Sequence, residues 1–441
     1  MMTDRRKFIG NSSRLLAGAA LAAQLPSVMH AGTKSVAPSD KIRIALIGAR
    51  SMGWGNLENA MKQPGVEVAA ICDIDSQILN DRVGEVEKKM GKKPAAYKDF
   101  RKLLDDKSID AVIIGTPDHW HCLTTVYACQ AGKDVYVEKP LANSISECDA
   151  MVKATRKYKR IVQVGQQQRS GPYFKEAIDL IKAGKIGKLR KVQVWGNFNY
   201  GIGAPVVPDE PVPANVDFDM WLGPAPKRSF NRNRFHGNWR MFWDYGGGLV
   251  TDWGVHLLDM ALWAKDIKVL PKSVQSAGGN FSFPNNAHET FDTLSVIYQL
   301  EDYLITWENV AGTEKGPFGR NYGLCFIGDD ASLVINRESW ELIPETADGK
   351  NKVPAVPGGK GEDSHEAHMI NFLECIKSRK DPNCTIENGR LVALYAHMGN
   401  IALRSQSRLA WDGAAGNFGA NSAANAFIKP HYRSPWTFPA L

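Results

Sequence analysis

The sequence contains few cysteines and no long hydrophobic run, and each absence excludes a class of protein. Its 441 residues include seven cysteines and no CxxC pair, which excludes a disulfide scaffold and leaves at least one thiol free. Beyond the N-terminus no segment reaches 18 apolar residues, so we expect a soluble mature protein without a membrane span. The net charge of +7 is too small to indicate a nucleic-acid partner. The ordinary globular composition and the length predict two domains.

Residues 1–31 have the composition of an export signal. A charged head containing Arg5 and Arg6, followed by Phe8, precedes a short, mildly apolar stretch and small residues near Ala31. The paired arginines resemble the twin-arginine type of signal, which predicts a periplasmic protein. The alternative is a basic N-terminal tail without a targeting role.

The first predicted domain alternates strands with helices. Short apolar runs predict strands, and amphipathic stretches between them predict helices. The strands are expected at 41–47, 66–72, 95–97, 111–114, 134–137 and 161–164, and the helices at 53–62, 77–90 and 119–131. This alternation predicts an α/β fold with a doubly wound parallel sheet, in which ligands bind outside the carboxyl ends of the strands.

An incomplete dinucleotide-binding fingerprint follows the first strand. Gly48 and Gly53 occupy the outer positions of GxGxxG, but Arg50 replaces the middle glycine, which normally lets the backbone approach a pyrophosphate. Arg50 can instead place its guanidinium near a phosphate or the adenosine. Asp73 ends the second strand, where a carboxylate accepts the ribose hydroxyls of NAD and repels the 2′-phosphate of NADP. We therefore predict NAD, with NADP disfavoured; a plain turn residue is the alternative for Asp73.

Two further motifs follow the fourth and fifth strands. They run from Thr116 to His121 (TPDHWH) and from Glu138 to Pro140 (EKP). The two histidines of the first motif lie two residues apart at a helix start and point in different directions, so we predict no metal site. Lys139 is either a surface lysine or a cleft residue whose pKa is tuned for proton transfer.

A later helix, predicted to start near Val250, carries a second group of ionisable side chains. Asp252, His256 and Asp259 fall at i, i+4 and i+7, which places them on one helix face. Spacing alone also permits an Asp–His hydrogen bond that merely stiffens the helix.

Together these motifs resemble those of the Gfo/Idh/MocA family, whose namesakes include glucose–fructose oxidoreductase and inositol 2-dehydrogenase. The resemblance runs from about residue 41 to about residue 412 and rests on GxxxxG with Asp73, Thr-Pro-x-x-x-His, Glu-Lys-Pro and the stretch from Asp252 to His256. Arg50 is the main departure from the family pattern.

The resemblance implies a Rossmann domain over 41–165 and a second α/β domain over 166–412. That second domain is expected to hold a large open, mostly antiparallel sheet, with late helices packing back on the first domain. One face of the sheet is expected to form a homo-oligomer, a dimer or tetramer. Residues 413–441 are expected to form a C-terminal arm.

The resemblance also implies the roles of the site residues. Lys139, Asp252 and His256 are expected to surround the substrate carbon that faces the nicotinamide. His256 or Lys139 would accept the hydroxyl proton, Asp252 would orient the base, and Lys139 would stabilise the alkoxide. The expected cofactor contacts are Gly48, Arg50, Ser51, Met52, Gly53, Asp73, Thr116, Pro117, His119, His121, Glu138, Lys139 and Gln166.

A sugar or sugar derivative is the expected substrate. Aromatic faces beside hydrogen-bonding side chains suit a sugar, although each such aromatic can equally belong to an interdomain core. The candidates, in and around a long loop over 201–237, are Arg169, Tyr200, Trp239, Arg240 and Tyr245. We expect an NAD-dependent oxidoreductase. The alternatives are a glycoside-cleaving enzyme that uses NAD for transient oxidation and elimination, and a non-catalytic NAD- or sugar-binding sensor.

Overall fold

A six-stranded parallel sheet forms the N-terminal part of the fold. The structure is a computed structural model that describes residues 41–441, so the predicted signal over 1–31 lies outside the described residues. The strand order is β3-β2-β1-β4-β5-β6, with every pair parallel. The strands are β1 (Ile42–Ile47), β2 (Val66–Cys72), β3 (Ala95–Tyr97), β4 (Ala111–Ile114), β5 (Asp134–Val137) and β6 (Val162–Val164). The order reverses between β1 and β4, and the carboxyl ends of these two strands open a crevice.

Five helices accompany this sheet: α1 (Ser51–Met61), α2 (Ser76–Met90), α3 (Phe100–Asp105), α4 (Asp118–Gln130) and α5 (Ile145–Lys157). The parallel strand order confirms the predicted doubly wound sheet. Its central strands are short apolar runs buried between layers of helices. Sequence reasoning missed α5, although its start carries a capping box. Ser144 accepts the N–H of Glu147 at 3.3 Å and donates to its carboxylate at 2.8 Å.

A separate seven-stranded sheet forms the second half of the fold. Its order is β15-β14-β13-β7-β12-β11-β9, antiparallel except for the parallel β7–β12 pair, which confirms the large, mostly antiparallel sheet. Its strands are β7 (Leu189–Gly196), β9 (Ser273–Gly279), β11 (Thr293–Gln299), β12 (Leu304–Val310), β13 (Tyr322–Gly328), β14 (Ala331–Ile335) and β15 (Trp340–Pro344). Short two-stranded ladders join β8 (Ala204–Pro205) to β10 (Asn286–Ala287) and β16 (Thr346–Ala347) to β17 (Lys350–Asn351).

Helices from the second half reach both sheets. They are α6 (Pro172–Lys182), α7 (Phe218–Leu222), α8 (Val255–Ala264), α9 (His365–Ser378), α10 (Ile386–Arg404) and α11 (Ser422–Asn425). Helix α8 packs on β7 and β13, whereas α9 packs on α1 and α10 packs on α5. Within residues 41–441, no helix is both long and apolar enough to cross a bilayer.

The C-terminal segment from residue 413 lies against the first sheet's helices. The Trp436 ring packs edge-on against Trp120 at 4.9 Å and lies 6.4 Å from Phe100. The hydroxyl of Tyr432 donates to the buried carboxylate of Glu147 at 2.5 Å. These contacts attach the chain terminus to α4 and α5, next to the crevice.

Candidate active site

The turn after β1 brings backbone segments into close approach. Gly48 has a φ of 84°, and a Cβ at this position would lie 2.8 Å from the backbone of Gly115. A Cβ on Gly53 would lie 2.1 Å from the carbonyl oxygen of Gly48. Glycine is therefore required at these positions, and α1 starts directly at the crevice, where helix N-termini favour phosphate groups. Sequence reasoning missed Gly115, since only the fold brings it next to the fingerprint.

Arg50 fits the middle position of the fingerprint without strain. Its backbone is extended, with φ −100° and ψ 166°, a conformation that any residue can adopt. Its Nη1 lies 3.3 Å from Nε2 of His236, a residue of the long loop. The departure from glycine therefore places a cation at the crevice and leaves the turn intact.

Asp73 lies buried at the end of β2, beside the turn. Its carboxylate accepts the N–H of Ala49 at 2.7 Å and the N–H of Asp75 at 2.9 Å. Burial raises its pKa, against the effect of these hydrogen bonds. The next residues are joined to the long loop, because Ser76 N–H donates to the carbonyl of Asn215 at 2.8 Å and the Asn215 amide donates to Asp75 at 2.7 Å. The loop is thus fastened next to Asp73, the predicted partner of the ribose hydroxyls.

A cavity runs along the crevice and brings most of the predicted cofactor residues together. The predicted residues that line it are Gly48, Arg50, Ser51, Met52, Asp73, Thr116, Pro117, Glu138, Lys139, Trp239 and Arg240. Four predicted cofactor residues do not line it: Gly53, His119, His121 and Gln166. Gly53 instead provides the close packing of α1.

The two histidines of the TPDHWH motif lie behind the cavity wall. Nε2 of His119 lies 3.0 Å from the carbonyl oxygen of Trp221. Nδ1 of His121 lies 2.8 Å from the carbonyl oxygen of Pro140, and its Nε2 lies 2.9 Å from that of Thr116. Burial lowers the pKa of both imidazoles to about 4, so both are neutral near pH 7. They position the segments that form the wall.

Of the three predicted catalytic residues only Lys139 lines the cavity, and it forms a buried ion pair with Asp252. Lys139 Nζ donates to the Asp252 carboxylate at 2.7 Å and to its backbone carbonyl at 2.9 Å. The Tyr200 hydroxyl and Nε of Arg240 also donate to this carboxylate, at 2.5 and 3.1 Å. Burial alone would raise the pKa of Asp252, but the charges of Lys139 and Arg240 hold it well below its ordinary value. The carboxylate is therefore charged and holds three donors in fixed positions.

His256 is oriented by Gln168 rather than by Asp252. Its Nδ1 lies 3.2 Å from Oε1 of Gln168, and it has no hydrogen bond to Asp252 among those found for residues 41–441. Burial and the nearby charge of Lys139 lower its pKa well below the ordinary value, so the imidazole is neutral. Asp252, which is expected to orient the base, orients Lys139 and not His256 in this geometry.

The predicted helix near Val250 begins with a π-helical segment, Val250–Gly254, before α8 continues to Ala264. π-Helical turns are frequent at functional sites. Each of the three ionisable residues predicted to share one helix face has a different partner. Asp252 meets Lys139, His256 meets Gln168, and Asp259 forms a two-pronged ion pair with the guanidinium of Arg169 at 2.8 Å.

Three of the predicted substrate residues, Arg169, Tyr200 and Tyr245, do not line the cavity. Arg169 is held by Asp259, and its side chain is only 9% exposed. Tyr245 is fully buried, with its ring 4.8 Å from that of Trp221. Tyr200 instead donates its hydroxyl to the Asp252 carboxylate, and of the predicted substrate residues only Trp239 and Arg240 line the cavity.

Sequence reasoning missed two further residues of the site. Asp118 is 4% exposed and lines the cavity, where Arg240 and Lys139 act on its charge. Burial raises its pKa well above the ordinary range despite these cations. Its place in the TPDHWH motif, directly after the end of β4, was the available signal. Gln168 had a weaker signal, since it lies in the stretch after β6.

Buried polar atoms near the crevice fit a dinucleotide. Thr116 Oγ and both amide atoms of Gln166 are buried and have no hydrogen-bond partner among residues 41–441. Together with the glycine turn and Asp73, these groups suit a ligand that carries ribose hydroxyls, phosphates and an amide. The fold and the cluster of an amine, a carboxylate and an imidazole at the crevice define a dinucleotide-dependent oxidoreductase.

Comparisons with known proteins agree with this class. The family described as the GFO_IDH_MocA oxidoreductase family, NAD-binding Rossmann fold, matches residues 42–166, and its C-terminal alpha/beta domain matches 175–299 and 343–438. The chain therefore belongs to the Gfo/Idh/MocA oxidoreductase family, and NAD is its cofactor.

Individual relatives include proteins with two kinds of activity. A scyllo-inositol 2-dehydrogenase (NAD(+)) of Bacillus subtilis (strain 168) is 24% identical over 78% of this chain and 89% of its own length. A glycosyl hydrolase family 109 protein of Shewanella pealeana is 30% identical over 43% of this chain and 45% of its own length. The solved structure of a levoglucosan dehydrogenase in complex with NADH and L-sorbose has a TM-score of 0.65 at 18% identity, covering 84% of this chain and 99% of that chain.

Proposed function

We propose that this enzyme transfers a hydride between NAD and a hydroxyl-bearing carbon of a sugar or sugar derivative. The observation that carries the proposal is the ion pair between Asp252 and Lys139, which lines the cavity, with His256 on the following turn. The inositol dehydrogenase relative supports a polyhydroxylated substrate.

The ionisation states suit proton transfer at a hydroxyl. Bound NAD supplies the hydride acceptor. Neutral His256 has a free lone pair at one ring nitrogen and can accept the hydroxyl proton. Lys139, held by Asp252, can donate a hydrogen bond to the oxygen on which negative charge develops. Trp239 and Arg240 line the cavity, and the Arg240 guanidinium lies over the indole, 4.3 Å from its ring centroid.

Glycoside cleavage through transient oxidation and elimination is the second candidate function. The similarity to a glycosyl hydrolase family 109 protein favours it.

Export to the periplasm and assembly into a homo-oligomer are also part of the proposal. The twin-arginine pattern of residues 1–31 supports export. The strands of the seven-stranded sheet carry apolar side chains that are more than a third exposed, which supports a partner subunit on that sheet: Ile297, Leu304, Val310 and Ile343.

One assay distinguishes the candidate functions. Protein purified without additives is incubated with free sugars and with aryl glycosides, each with and without added NAD. Net formation of NADH supports the dehydrogenase. Release of the aglycone without net NADH supports the glycosidase. Binding without either product overturns both and identifies a sensor.

A further inference from the structure

A second cavity adjoins the catalytic histidine. It is bordered by the 3₁₀ turn Gln167–Ser170, by residues that follow β14 and by the start of α9. Gln168 connects it to the active site, because its Oε1 faces His256 while its buried Nε2 has no hydrogen-bond partner among residues 41–441. A ligand group in this cavity would therefore lie one side chain away from His256.

Arg337 brings a positive charge to this cavity without a direct counter-ion. Its guanidinium lies 4.8 Å from the ring centroid of Trp253. Nη2 donates to the side-chain oxygen of Gln167 at 3.0 Å, in the amide orientation that satisfies both groups. Among the ion pairs found within the described part of the chain, none includes Arg337. A partly buried guanidinium in this situation favours an anionic partner.

Glu338 and Asp363 act on the charge of Arg337, but burial outweighs them and lowers its pKa, and neither forms an ion pair with it within the described residues. Glu338 accepts a hydrogen bond from the hydroxyl of Tyr322 at 2.7 Å. Asp363 faces Nδ1 of His365 at 2.5 Å. Glu362 is exposed to solvent. Glu338 and Asp363 thus have other hydrogen-bond partners, and Glu362 and Asp363 are exposed to solvent.

Further hydrogen-bond donors line the cavity. Lys360 lines it and adds a second positive charge. Ser364 also lines it; the residue is 3% exposed, and its hydroxyl has no hydrogen-bond partner among residues 41–441. Together with Nε2 of Gln168 these groups form a set of donors arranged around one space.

We propose that this cavity binds an anionic substituent of the sugar, with Arg337 as its principal partner. The inference rests on the proposed function and specifies its substrate class as an acidic sugar. A guanidinium presents two parallel N–H groups that match a carboxylate or another compact oxyanion. The free donors of Gln168 and Ser364 would complete the recognition, and the reacting carbon would then lie toward His256.

The test compares matched neutral and acidic sugars on protein loaded with NADH. The sugars are glucose, galactose and mannose, the corresponding hexuronates, and the 6-phosphates and 6-sulfates. Affinity is measured by calorimetry and turnover by NADH formation with NAD-loaded protein. We expect at least one acidic sugar to bind tenfold or more tightly than its neutral counterpart, and Arg337→Gln to abolish that preference while changing neutral-sugar affinity less than twofold.

Two variants control for nonspecific effects. Arg190→Gln removes an arginine of β7 whose side chain is 71% exposed and should leave the preference unchanged. Arg337→Lys keeps the charge but not the two-pronged geometry and should retain part of the preference. Thermal unfolding of each variant verifies that the fold is intact.

Each outcome bears on one of the two proposals. Equal affinity for neutral and acidic sugars in the wild type, or a preference that survives in Arg337→Gln, overturns the anion site. Preference for a phosphate or sulfate over a uronate supports the site and identifies the oxyanion. Arg337-dependent binding without any NADH formation supports the anion site but contradicts the dehydrogenase. Oxidation of neutral sugars alone supports the dehydrogenase but contradicts the anion site.

Discussion

Replacing Asp252 by asparagine tests the central feature of the site. The substitution keeps the shape of the side chain but removes the charge that balances Lys139 and Arg240. Lys139 and Asp252 are each only 11% exposed, so the unpaired cations remain poorly solvated. Breaking a buried pair in this way costs about 3–5 kcal/mol, and since the amide retains hydrogen-bond acceptors we expect the lower end. A domain with about 5–15 kcal/mol of stability remains folded.

The activity should fall much further than the stability. Lys139 loses the carboxylate that orients it, and loss of a positioned acid–base group lowers kcat by about 10²–10⁴-fold. Urea-unfolding midpoints measure the first effect. NADH formation, with a sugar that the wild type oxidises and at a temperature where the variant is folded, measures the second.

Asp259→Asn is the matched control, because Asp259 lies on the same helical segment in a comparably buried pair with Arg169. It should lose a similar amount of stability, about 3 kcal/mol, and keep kcat within a few-fold of the wild type. A loss of kcat in Asp259→Asn as large as that in Asp252→Asn would refute the assignment of the site.

Three further predictions concern pH, cofactor choice and cofactor retention. Burial raises the pKa of Glu147 from 4.5 to about 7, so the folded state holds a proton that the unfolded state releases, and stability falls as pH rises from about 4.5 to 7. Glu147→Gln should reduce this fall by up to about 3 kcal/mol in urea titrations at pH 5 and pH 8. Asp73→Ala should weaken NAD binding and improve relative binding of NADP, with Arg50 available to its phosphate; unchanged selectivity by calorimetry would contradict this role. Asn215→Ala should accelerate NAD release in stopped-flow exchange, because one bond that fastens the loop beside Asp75 is lost.

Sequence patterns predicted what depends on short stretches of chain. The strands of the first sheet are continuous apolar runs, and their ends carry the motifs that line the crevice, because carboxyl ends of parallel strands meet at one edge. The predicted helix near Val250 was only partly correct, since nothing in its spacing distinguishes an α-helical from a π-helical start.

The sequence by itself therefore determined the fold class and the family, and it predicted Lys139, Asp252 and His256 as the catalytic residues, because periodicity, turn residues and motif spacing are local properties. Only the tertiary structure decided the partners. Lys139 and Asp252 are 113 residues apart in sequence, and Gln168 and His256 are 88 apart. Which carboxylate faces which cation depends on how the two sheets and their helices pack, and burial in that packing then sets the charge states on which the chemistry depends.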